Sequence, residues 1–218
     1  MVTNKVIDRV FEILSREVGA LHEPIVGKVA REGDPYKVLI STMLSLRTKD
    51  ATTEQACSKL FAIASSPEEI ARTPLDVIER AIFPVGFYKT KARSIREASR
   101  IILEKYGGTV PSGMDQLLGL PGVGRKTANL VIILGFDDMG ICVDTHVHRI
   151  SNRWGYVSTK TPEATEMKLR EILPERYWKD INNFLVPYGQ HVCLPVSPFC
   201  SKCKLFSLCG RIGVKSSR

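Results

Sequence analysis

The chain has 218 residues, 44% hydrophobic and 25% charged, enough to bury a sizeable core as one domain or two small ones. No apolar run is long enough to span a bilayer, which excludes a membrane-spanning reading. The formal net charge of +8 favours a polyanionic partner and excludes little else.

In chain order, Val6, Val10, Ile13, Leu14 and Val18 recur at helical spacing and predict an amphipathic helix over 1–18, with Thr3 or Asn4 as its cap. This stretch lacks the apolar h-region and cleavage site of a signal peptide, so the protein is expected to stay in the compartment where it is made. Residues 19–35 read as a Gly- and Pro-containing linker, after which helices resume with Val38, Leu39, Ile40, Met43 and Leu44. The polar break Ser45–Asp50 holds Arg47, in plain terms a solvated loop arginine, and places Asp50 to cap a helix with Ala51, Cys57, Leu60 and Phe61. Pro67 and Pro74 each open a short helix. Val85-Gly86-Phe87-Tyr88 reads as a loop with two exposed aromatics, although Phe87 could equally pack on the helix that follows. In that helix Lys89, Arg93, Arg96 and Arg100 form a basic stripe suited to a phosphate backbone. Glu97 and Glu104 each follow an arginine by four residues and can neutralise part of it.

The stretch 117–136 reads LLGLPGVGRKTANLVIILGF. Pro121, Gly122 and Gly124 are turn formers, and the apolar run after them predicts a helix buried on most sides, with only its N-terminal end in solvent. At that end the backbone N–H groups of Gly122, Gly124 and Arg125 and the positive helix dipole form a seat for phosphate, which sets position without reading sequence. Lys126 lies beside the seat in the first helical turn. A neutral lysine amine there can attack an electrophilic sugar carbon and form a Schiff base, whereas the plain alternative is a solvated surface charge.

Asp144, in Val143-Asp144-Thr145-His146-Val147, precedes the apolar series Val147, Ile150 and Trp154 and reads as an N-cap. A carboxylate held this way can also stabilise positive charge developing at a sugar carbon. His146 and His148 read as structural or nucleic-acid-facing, and residues 160–176 as a polar scaffold helix. Cys193, Cys200, Cys203 and Cys209 follow the pattern C-x6-C-x2-C-x5-C. As a four-thiolate site they are open, from spacing alone, to zinc or an iron–sulfur cluster, and a disulfide set is disfavoured. Cys57 and Cys142 read as small core residues outside this set.

Three stretches, LPGVGRKTA at 120–128, VDTHV at 143–147 and the four cysteines, resemble in order the motifs of the endonuclease III family of DNA repair glycosylases. The resemblance runs over roughly residues 35–209. It implies an all-α fold of two helical domains, a barrel over 28–138 containing the helix-hairpin-helix and a cluster domain formed by 1–27 and 139–218. The active site would lie in the cleft between them, with catalytic Lys126 and Asp144 facing each other. A [4Fe-4S] cluster would sit on the four cysteines, and Gly122, Gly124, Arg125 and His146 would contact DNA. Arg47 and Phe87 stand where relatives carry a glutamine and a leucine that fill the gap left by an extruded nucleotide, so the opposite-base preference need not follow the family. The loop 194–199 lacks the basic residues that relatives place there, and a DNA contact from it is not expected. The implied activity is removal of oxidised or ring-saturated pyrimidines from double-stranded DNA, then β-elimination at the abasic site, by a cytoplasmic monomer with no membrane partner.

Overall fold

The computed structural model describes residues 1–19, 25–31 and 33–218, so part of the expected linker over 19–35 lies outside the described residues. The described residues form helices and irregular connections with no strand. Two compact units divide the chain, Glu23–Asp138 and the combination of Met1–His22 with Met139–Arg218.

The Glu23–Asp138 unit holds α2 (Ile25–Ala30), α3 (Pro35–Ser45), α4 (Asp50–Ile63), α5 (Pro67–Arg72), α6 (Leu75–Ile82), α7 (Tyr88–Tyr106), α8 (Met114–Leu118) and α9 (Arg125–Leu130). Its hub is α3, buried without a break from Val38 to Leu44. The start of α3 is set by Asp34, whose carboxylate accepts the Tyr36 and Lys37 N–H groups, with Pro35 in the first turn. Ser66 and Glu69 cap α5 reciprocally. One expected cap is corrected: Asp50 is the first residue of α4 and Lys49 holds the cap position, so the carboxylate acts on the helix dipole from inside the first turn. Packing of α3 on α7 is tied by the Tyr36 hydroxyl, 2.6 Å from Ser99 Oγ.

After α9 the backbone widens into a π-helical turn, Val131–Gly135, where the apolar pattern predicts one continuous α-helix. Gly135 there lies so close to Pro35 that a Cβ would stand 3.2 Å from the proline Cα, a tertiary fit that periodicity does not carry.

The other unit packs α1 (Ile7–Val18), α10 (Thr145–Trp154), α11 (Pro162–Ile172) and α12 (Ile181–His191) around Val10, Leu14, Val147, Ile150, Leu169, Leu185 and Tyr188. Val6, not Thr3 or Asn4, precedes α1. Asn4 is used elsewhere: its Nδ2 donates to Ile172 O at 2.9 Å and its Oδ1 accepts the Tyr156 hydroxyl at 2.5 Å. The crossing of α10 and α12 is close because residue 189 is glycine. A Cβ there would overlap the His146 ring and stand 2.9 Å from Arg149 Nη2. Among the described residues no helix is long and apolar enough to cross a membrane.

Candidate active site and cysteine pocket

The hairpin between α8 and α9 requires glycine at one position and permits it at another. Gly122 has φ +80°, and a Cβ would meet Ser94 Cβ at 2.9 Å and Met43 Cε at 3.0 Å, so both conformation and space exclude a side chain. Gly122→Ala should therefore destabilise the protein by about 1–3 kcal/mol, read as a lower denaturation midpoint. An unchanged midpoint would contradict this geometry. Gly124 is different: its φ of −101° suits any residue, and a Cβ would meet nothing within 4 Å. As the N-cap of α9 it also brings no side chain to the first-turn N–H groups, which leaves this end open to an anion. Lys126 is exposed in that turn and Arg125 half-buried, while Thr127, Ala128 and Asn129 are buried behind them.

Asp144 is the N-cap of α10. Its Oδ1 accepts both the His146 N–H at 2.8 Å and the Val147 N–H at 2.9 Å, so the capping role uses a single carboxylate oxygen. Lys126 belongs to one unit and Asp144 to the other. His146 is half-buried, with Nδ1 3.1 Å from Arg149 Nη2. His148 Nδ1 lies 2.6 Å from Thr165 Oγ1 on α11.

Arg47 and Phe87, forty residues apart in sequence, meet at the surface with the guanidinium 5.7 Å from the ring centroid. Both hold left-handed backbone, φ 54° and 59°, at about 1–2 kcal/mol each. Phe87 is 64% exposed, so it does not pack on α7. Strained backbone under two exposed side chains is a pattern of functional sites. Tyr88, expected to be exposed beside it, is half-buried edge-on to Phe83 at 5.4 Å. The hairpin shares this support, because Gly122 rests on Met43 of α3 and Ser94 of α7, the helices that end before Arg47 and begin after Phe87. On α7, Lys89, Arg93, Arg96 and Arg100 are all exposed, and it is Arg100, paired with both Glu97 and Glu104, not Arg93 with Glu97, whose charge is neutralised.

The four thiols of Cys193, Cys200, Cys203 and Cys209 line one pocket, walled by Trp154, Tyr188, Val192, Phe199 and Val214. No disulfide joins them, and among the described residues no three His, Cys, Asp or Glu side chains converge on a single-ion site. Four cysteine sulfurs lining one pocket are a donor set that either an iron–sulfur cluster or a zinc ion takes. Groups able to stabilise sulfur charge are in place: Arg153 Nη1 lies 3.3 Å from Cys193 Sγ, the Tyr188 hydroxyl 3.1 Å from Cys203 Sγ, and the Arg211 N–H 3.3 Å from Cys209 Sγ. Burial pushes the Cys203 and Cys209 thiols up, so a bound cationic group is what would favour their thiolates. Cations do reach the loop 194–199 from outside it, with Arg218 4.2 Å and Lys202 5.5 Å from the Phe199 ring.

Sequence reasoning passed over three residues. Lys91 lies on the buried face of α7 with Ile95, Ala98 and Ile102, and a lysine on an apolar helical face was the available signal. Arg153 is buried on α10, with its guanidinium on the carbonyls of Leu194 and Pro195, both at 2.6 Å. Gly189 carried no local signal.

Comparison with known proteins places these features in context. The family described as HhH-GPD superfamily base excision DNA repair protein matches residues 40–175. Endonuclease III of Thermotoga maritima is 50% identical over 179 residues, covering 82% of this chain and 84% of that protein. A solved structure of a trapped endonuclease III–DNA covalent intermediate superposes with TM-score 0.83 at 31% identity, covering 96% of each chain. A thermostable thymine-DNA glycosylase superposes with TM-score 0.84 at 26% identity, covering 95% of this chain and 97% of that one.

Proposed function

Because this chain belongs to the endonuclease III family of the HhH-GPD superfamily of base excision DNA repair proteins, we propose that it removes oxidised or ring-saturated pyrimidines from double-stranded DNA and nicks the resulting abasic site. The observation that carries this reading is the exposed lysine in the first turn after a hairpin whose Gly124 faces open space. That relatives include a protein trapped covalently on DNA supports a covalent route.

In this account the hairpin N–H groups hold a backbone phosphate while the damaged nucleotide leaves the stack and Arg47 and Phe87 occupy the gap. Enzymes of this kind need apolar or stacking groups there to offset lost base stacking. The Lys126 amine attacks C1′, the C1′–N bond to the base breaks, and the base leaves with the bonding pair and is protonated. The Asp144 carboxylate stabilises the positive charge developing on the sugar and accepts the proton from the attacking nitrogen. Ring opening gives a Schiff base between C1′ and Lys126. Loss of a C2′ proton then expels the 3′ phosphate by β-elimination, and hydrolysis frees the lysine. His146, held by Arg149 beside the Asp144 cap, would contribute a DNA contact from the start of α10. The protein acts as a monomer inside the cell, where its DNA substrate is.

The four cysteines would hold a [4Fe-4S] cluster, which when bound ties together the segments that carry them and so supports folding. Arg149 and Arg153 of α10 bond the Cys193–Pro195 backbone, so the pocket buttresses the helix that Asp144 caps.

Two measurements test the reading. Duplexes bearing an oxidised pyrimidine, a T·G mismatch, an A·G mismatch or no lesion should give a nicked product from the first alone, with chelator present. Nicking of the T·G duplex instead would assign the mismatch specificity. The purified protein should contain iron and acid-labile sulfide in equal amounts and be brown, and colourless zinc-loaded protein would contradict the cofactor assignment.

A further inference from the structure

We propose that Lys91 is a positioning residue that fixes Arg47 and Phe87 as one paired insert, so that the two enter the space beside an extruded nucleotide together. The inference rests on the DNA-gap reading of Arg47 and Phe87 given above and concerns what holds them.

Lys91 is 9% exposed and sits on the buried face of α7. Its Nζ donates to Leu44 O at 2.8 Å, Leu46 O at 2.6 Å and Thr48 Oγ1 at 3.3 Å, which accounts for all three ammonium donors. These acceptors bracket Arg47 in sequence, and two of them are carbonyls at the C-terminal end of α3, where the helix dipole favours a cation. All three are uncharged oxygens, and burial brings the lysine down to about 8. So costly a placement for an ammonium needs a reason beyond packing.

Lys91 also stands one helical turn after Phe87, since its N–H makes the opening i→i−4 bond of α7 to Phe87 O at 3.0 Å, so the side chain acts from the helix that Phe87 caps. A second strand of the link runs through Thr48, whose Oγ1 accepts the Gly86 N–H at 3.3 Å. Gly86 completes the fit, since a Cβ there would stand 2.8 Å from Arg47 O. Two loops that local sequence does not connect are thus joined at one ammonium and one hydroxyl. Both insert residues adopt left-handed backbone at that junction, a conformation that surrounding contacts must impose.

Lys91→Met keeps an unbranched side chain one heavy atom shorter and removes the donors, and Thr48→Val removes the hydroxyl without burying a charge. Single-turnover excision of an oxidised pyrimidine from a duplex is compared with nicking of a preformed abasic duplex, whose sugar is extruded at less cost. Each variant should lose at least about tenfold more in excision than in abasic nicking. The loss should also be non-additive with Arg47→Ala plus Phe87→Ala, because those side chains are the ones being positioned. Equal loss on both substrates, or full additivity, would overturn the proposal and mark Lys91 as a fold residue only. If Lys91→Met does not fold, Thr48→Val decides by the same two criteria. Failure of the underlying reading looks different: Arg47→Ala plus Phe87→Ala would then excise at the native rate.

Discussion

Lys126→Gln should abolish strand nicking and borohydride trapping on abasic DNA, a loss on the order of 10³-fold or more, as expected when a covalent nucleophile is removed. Glutamine keeps much of the side-chain length but has no nucleophilic amine. Because Lys126 is exposed, the substitution removes no buried packing, and the stability should stay within about 0.5 kcal/mol of native. Binding to abasic duplex should also persist, because the phosphate seat is built from backbone N–H groups around Gly122, Gly124 and Arg125, not from the lysine side chain. Gel mobility at fixed salt and single-turnover nicking measure the two effects separately. A mutant that binds and nicks at the native rate would refute the role of Lys126.

Asp144 poses a sharper question, since the structure gives it an ordinary job. It caps α10 through two N–H bonds, and a cap needs no catalytic explanation. Asn and Asp cap about equally well, so Asp144→Asn preserves α10 while removing the charge. Base excision should then fall by about 10²–10³-fold at nearly native stability, the scale of losing one preorganised electrostatic group. Asp144→Ala should cost a further ~1 kcal/mol of stability through loss of the cap. If Asp144→Asn excises at the native rate while Asp144→Ala is destabilised, the residue is a cap and nothing more.

The parts of this molecule that were legible in its sequence are those set by local rules. Helical periodicity with glycine and proline punctuation was sufficient for individual helices, the turn at Pro121–Gly124 and the Asp144 cap, because each is decided within a few residues, whereas the all-α class came from the family resemblance. Cysteine spacing brought four thiols to one pocket for the same reason. What could not be read depends on partners far along the chain. The acceptors of Lys91 lie 43 to 47 residues away, and those of Arg153 41 and 42. The glycine requirement at 189 comes from His146 and Arg149, and the tight fit at Gly135 from Pro35, a hundred residues earlier. The exposed pairing of Arg47 with Phe87 belongs to this class as well, since neither loop names the other.

The most direct test of the account is to map the covalent bond. Wild-type protein trapped with borohydride on an abasic duplex, digested and sequenced by mass spectrometry, should carry the sugar adduct on Lys126. An adduct on the N-terminal amine or on any other lysine would contradict it.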